Sequence, residues 1–179
     1  MAVFWQAPAH WYLPHQRWQR RPPAAIRDWL DEPGSLTLRL IAASHGHFTV
    51  RLIAQGWARP APEERRRLGL PASRYALIRE VELLGHGTAW VRARSVLPLD
   101  CLQRGPGRRL RKLGNRSLGG LLFKDPTLRR GPIEIAPLRQ AEGTMWARRS
   151  RLYFHGQPLL VAECFLPALL AAQAGIPVA

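Results

Sequence analysis

Apolar and polar residues alternate through several stretches of this chain, and in an extended strand that alternation sorts side chains onto two faces. In RYALIREVELL (74–84), Tyr75, Leu77, Arg79, Val81 and Leu83 share one face, while Ile78, Glu80 and Glu82 lie on the other. In PLLVAECFL (158–166), Leu159, Val161, Glu163 and Phe165 fall together, opposite Leu160, Ala162 and Cys164. The runs HFTVRLIAQGW, TAWVRARSVLP, GPIEIAPL and MWARRSRLYF also read as strands. Gly85-His86-Gly87 and His155-Gly156-Gln157 separate such runs and predict tight hairpins.

Helical signals occupy the gaps. AAIRDWL (24–30) predicts a short helix stopped by Pro33 and Gly34. Ser35 then offers an N-cap for a helix beginning at Leu36; L-T-L-R-L also alternates like a strand, and helix is the favoured reading. PEERRRLGL predicts a charged helix, and residues 99–123 turn helical with Ser117 as an N-cap ahead of LGGLLF. The pattern predicts one α+β domain on an antiparallel sheet. Three parts are expected: an arm over 1–23, the domain proper over 24–168 and a tail over 169–179. In the arm, Trp5, Trp11 and Trp18 lie among Pro8, Pro14, Pro22 and Pro23, which suits an extended segment on the domain surface.

Two charges stand on faces that are otherwise apolar, Arg79 and Glu163. A charge buried there costs several kcal/mol unless it is paired and hydrogen-bonded. Either the two pair with each other, or they line the polar end of a cavity in which arginine grips a ligand carboxylate. The helix starts at Ser35-Leu36 and Ser117-Leu118 add to the second possibility, because the first amides of a helix are free to bind an anion. Ordinary capping without a ligand explains either start taken alone.

Composition narrows the choice of function. The chain has 179 residues, enough for a core that buries about 70% of the unfolded surface without disulfide or metal. Cys101 and Cys164 are far apart and form no CxxC pair, so they read as structural thiols in a reducing compartment. The start MAVFWQAPAH lacks the signature of a signal peptide. Glu163 and Pro167 interrupt the most apolar stretch, which is too short to span a bilayer. A cytoplasmic protein without membrane insertion is expected. The net charge of +15 is carried almost wholly by arginine, since only Lys112 and Lys124 are lysines, and it is scattered. With no recognition motif beside it, this charge is expected to attract a small polyanion rather than serve dedicated nucleic-acid binding. No HExxH, GxSxG, P-loop or dinucleotide fingerprint occurs, and His10, His15, His45, His47, His86 and His155 mostly flank turns. Neither a metal nor an organic cofactor is expected.

The segments RDWL-x4-SLT, SRYALIREVEL, AW-x3-RSVLP, KLGNRSLGGLLF, IEIAPL, WARRSRL and PLLVAECFLPA, between about Ile26 and Ala168, resemble the chorismate pyruvate-lyases that open ubiquinone synthesis in bacteria. The resemblance implies an antiparallel sheet with helical flaps over a buried ligand, and a monomer. It implies that Arg79 binds the ligand carboxylate, that Leu36 and Leu118 contribute backbone amides, and that Glu163 is the acidic site residue. Substrate and product would be chorismate and 4-hydroxybenzoate, with pyruvate released and no cofactor. A second possibility from the same resemblance is a non-catalytic, ligand-sensing domain for small carboxylates.

Overall fold

The computed structural model describes residues 8, 10–13, 15, 16, 21–103, 105–140 (140 by its backbone) and 143–175. Seven strands form one antiparallel sheet: β1 (Phe48–Ala58), β2 (Ala76–Gly85), β3 (Thr88–Pro98), β4 (Arg129–Arg130), β5 (Glu134–Gln140), β6 (Gly143–Phe154) and β7 (Gln157–Phe165). The order is β1-β2-β3-β7-β6-β4, with β5 also paired to β6. Both predicted hairpins form. Gly85 opposes Thr88 and Phe154 opposes Gln157, leaving two-residue loops. His86 and Gly87, and likewise His155 and Gly156, have positive φ, as the tightest hairpin turns require. The two-residue strand β4 was not anticipated.

The helices are α1 (Ala24–Asp31), α2 (Leu36–Ala43), α3 (Pro62–Leu68), α4 (Leu99–Gln103), α5 (Leu118–Leu122) and α6 (Pro167–Gln173), with a 3-10 helix at Gly105–Lys112. LTLRL is therefore helical: Ser35 accepts from the Leu38 amide and so stabilises the first turn of α2. α1 buries Ile26, Trp29 and Leu30, spaced to form one stripe, and each such side chain contributes roughly 1.5–3 kcal/mol of apolar burial.

All helices except α3 pack on one face of the sheet, in two separate clusters. Ile26, Trp29, Leu36 and Leu40 join Val81, Ala93 and Phe165, and α6 adds Leu169 to this cluster. Leu102, Leu110, Leu118 and Leu122 join Leu77, Leu152 and Leu159 in the other. On the opposite face Leu68 of α3 covers Ile78, Val96 and Leu160, and Trp11 of the arm packs beside Ala147, Ala162 and Cys164. Tyr12 makes an isolated bridge to Ile135, so this part of the arm is extended as expected. Trp5, Pro14 and Trp18 lie outside the described residues.

Charges on that second face are matched across neighbouring strands. Arg94 bonds Glu80 at 2.6 Å and Glu64 of α3 at 2.7 Å, Arg149 bonds Glu134 at 2.7 Å, and Arg51 and Arg92 flank Glu82. Part of the basic excess is thus engaged in ion pairs within the fold.

Candidate active site

A cavity lies on the helix-covered face between the two apolar clusters. Leu36, Val81 and Ala93 line it from one cluster and Leu118, Leu122 and Leu152 from the other. Its polar lining comes from the sheet floor and the rim: Arg79, Ser95, Ser150, Glu163 and Arg130, with Thr37 and Ser117 from the helix starts. Strand register places these groups. Arg79 opposes Ser95, which opposes Val161; two residues further along, Val81 opposes Ala93, which opposes Glu163. Two strand spacings and one two-residue step put the Cα atoms of Arg79 and Glu163 about 12 Å apart.

Arg79 is 1% exposed. Its Nη2 donates to the carbonyls of Gly114 and Arg116, each at 2.8 Å, which ties β2 to the loop leading into α5. Nε is buried and has no acceptor among the described residues. No carboxylate pairs with this guanidinium among the described residues, and burial draws its pKa downward. The cation is held in place yet not neutralised.

Glu163 has a different partner from the one considered from sequence. Arg148, opposite it on β6, donates Nε to Glu163 at 2.6 Å. Arg148 Nη1 donates to the carbonyls of Trp29 and Glu32, at 2.9 and 2.8 Å, and so anchors the end of α1 to the sheet. The Arg79–Glu163 ion pair does not form, and the two residues line the cavity separately. Arg148 is not among the candidate residues read from sequence, where it counts only toward the scattered arginine charge. Alternation through MWARRSRLYF would have placed it with Trp146, Ser150, Leu152 and Phe154, on the same face as Glu163.

The two helix starts meet over the cavity. Ser117 accepts from the Gly120 amide at 3.0 Å and caps α5, and its hydroxyl lies 2.5 Å from that of Thr37 in α2. The contact is close, for a Cβ on Gly119 would come within 3.0 Å of Thr37 Oγ1. Leu36 and Leu118 are the first residues of their helices, so their amides have no intrahelical acceptor.

Cys101 and Cys164 are buried and unlinked, and burial pushes both thiols up to about 12. Among the described residues no three His, Cys, Asp or Glu side chains converge as a metal site would require. No helix among those residues is long and apolar enough to cross a membrane.

A family model described as chorismate lyase matches residues 7–176. A probable chorismate pyruvate-lyase from Pseudomonas putida is 42% identical over 174 residues, covering 93% of this chain and 94% of that protein. Another, from Methylococcus capsulatus, is 47% identical over 158 residues, covering 82% of this chain and 97% of that protein. In structure, the effector domain of PhnF from Mycobacterium smegmatis gives a TM-score of 0.54 at 18% identity, over 75% of this chain and 90% of that one. The ligand-binding domain of a putative GntR-family transcriptional regulator from Bordetella bronchiseptica gives 0.52 at 17% identity, over 68% and 86%. These two share the fold. The near full-length sequence matches establish more, and the chain belongs to the chorismate lyase family.

Proposed function

We propose that this protein is a chorismate pyruvate-lyase that converts chorismate to 4-hydroxybenzoate and pyruvate, acting as a cytoplasmic monomer without metal or organic cofactor. The observation that carries the reading is Arg79: a buried guanidinium, fixed by two carbonyls and without a carboxylate partner among the described residues, lining a cavity whose walls are largely leucine, valine and alanine. A ring carboxylate supplies the missing charge in a planar contact. The amides of Leu36 and Leu118 complete the receptor. Towards Glu163 the cavity then receives the other side of the ring, where the hydroxyl and the enolpyruvyl ether stand.

The reaction removes one hydrogen from the ring carbon that bears the hydroxyl. The neighbouring ring carbon–oxygen bond breaks with its electron pair passing to oxygen, and the departing enolpyruvyl group gains a proton on its methylene to become pyruvate. Aromatisation drives the step, so the protein has mainly to orient the ring and exclude water, which removes the need for a cofactor. Glu163 serves either as the proton carrier or as the acceptor that holds the ring hydroxyl while the hydrogen passes directly to the methylene. In metabolism the product is an aromatic precursor, and the resemblance assigns it to the first committed step of ubiquinone synthesis.

The test is to mix purified protein with chorismate and measure 4-hydroxybenzoate and pyruvate, with and without a chelator. Equimolar products in both conditions support the reading; activity that disappears on chelation removes its cofactor-free part. The shared fold with regulator ligand-binding domains supports a second reading, a non-catalytic carboxylate-binding domain. Tight 4-hydroxybenzoate binding with no turnover of chorismate would select it.

A further inference from the structure

We infer that Arg130 is a second carboxylate receptor in the cavity, and that it takes the carboxylate of the three-carbon enolpyruvyl group. This assignment rests on the reading of the protein as a lyase acting on chorismate.

Arg130 lies on the short strand β4, opposite Leu152 of β6, and its side chain lines the cavity. Phe123 lies under the guanidinium, 5.0 Å from ring centroid to Cζ. One nitrogen, Nη2, reaches the Gly34 carbonyl at a long 3.4 Å. The other two, Nε and Nη1, are buried and meet no acceptor among the described residues. No carboxylate forms an ion pair with it among the described residues. Glu163, the acid nearest in the cavity, is bonded by Arg148, and Glu32 is bonded by Arg39 at 3.3 Å. Burial lowers the Arg130 pKa, and Arg148 adds repulsion, against partial compensation by Glu163 and Glu32. Nε and Nη1 each share one edge of the guanidinium with Nη2, whose single contact is long, so an edge of the fork stays open to a planar two-oxygen ligand, as the Nε and Nη2 edge of Arg94 is filled by Glu64.

Charge counting gives the same result. Arg79, Arg130 and Arg148 bring three positive charges to the site and Glu163 brings one negative charge, so two remain uncompensated. The two cations without an acid partner are separate residues, Arg79 on β2 and Arg130 on β4, with β3, β7 and β6 between those strands. A monoanion such as 4-hydroxybenzoate satisfies one of them. A substrate with two carboxylates satisfies both, and chorismate carries its second carboxylate on the departing group. Arg130 therefore orients the enolpyruvyl ether beside Glu163 and holds pyruvate after cleavage.

The discriminating measurement compares substrate with product in Arg130→Gln and Arg130→Lys. For Arg130→Gln, kcat/KM on chorismate should fall by about 100-fold or more, while the dissociation constant for 4-hydroxybenzoate stays within about threefold of the parent. Arg130→Lys, which keeps the charge but loses the fork, should fall between. If the glutamine variant fails to fold, as a melting curve would reveal, the lysine variant decides by the same ratio. Equal weakening of chorismate and 4-hydroxybenzoate would overturn the assignment, as would unchanged turnover of chorismate. If the parent protein does not cleave chorismate at all, the lyase reading fails and this assignment falls with it. A parent that cleaves chorismate with Arg130 indifferent sinks the Arg130 role alone.

Discussion

Thr37 and Ser117 share a hydrogen bond of 2.5 Å between their hydroxyls, although 80 residues separate them in sequence. The bond joins the first turns of α2 and α5, the two helix starts that close the cavity. Opening the cavity past these helices requires breaking it.

Thr37→Val is expected to speed product release. Ser117 keeps its cap bond to the Gly120 amide, so α5 remains formed while its tie to α2 is lost. Contacts shared by substrate and product stabilise the product complex without lowering the chemical barrier, so release should limit the parent enzyme. Rapid mixing with excess chorismate should show a burst close to one 4-hydroxybenzoate per site, then a slower steady rate. In the variant, loss of about 1 kcal/mol should raise the steady rate several-fold and weaken product inhibition. Linear product formation in the parent from the start would show that chemistry limits.

Arg79→Ala should weaken 4-hydroxybenzoate binding by about 2–5 kcal/mol, because the ligand carboxylate loses its charged partner. The Gly114 and Arg116 carbonyls also lose their donor, which should lower stability by about 1–3 kcal/mol. Calorimetric titration and a melting curve separate the two effects. Affinity close to that of the parent would refute the carboxylate role.

Glu163→Gln should reduce turnover by more than it reduces binding, since the amide retains shape and an oxygen for Arg148 but cannot carry a proton. Equal losses in kcat and affinity would limit Glu163 to positioning. Glu163→Ala should melt well below Glu163→Gln, by about 3–5 kcal/mol relative to the parent, because it leaves Arg148 buried without its anion.

Cys101 and Cys164 should resist thiol reagents in the native protein, being buried and shifted to about 12. Both should react quickly in denaturant. Rapid modification of either thiol under native conditions, followed by mass, would contradict their buried positions.

Much of the frame was readable along the chain because its signals are local. Two-residue alternation in RYALIREVELL and PLLVAECFL put Arg79 and Glu163 on the apolar faces of their strands, the faces that the helices cover. His-Gly turns set the two hairpins, and Ser35 and Ser117 marked helix starts through bonds that reach only three residues. The region 99–123 was legible as helical but not as three separate pieces, since tertiary packing decides where short helices break.

By itself, then, the sequence determined every strand but β4, their faces, the capped helix starts and the two charges out of place among apolar residues. Tertiary structure alone decided which partners those charges have. Glu163 meets Arg148 through the β6–β7 register; alternation can give Arg148 its face on β6, but only the pairing of β6 with β7 sets it opposite Glu163. Arg130 stands on a strand of two residues, too short for alternation to reveal its direction. Thr37 finds Ser117 only because two helices from distant parts of the chain pack over one sheet. Side-chain direction is set by neighbours along the backbone, whereas ion pairs and cavities arise where distant segments converge, and no local pattern encodes that convergence.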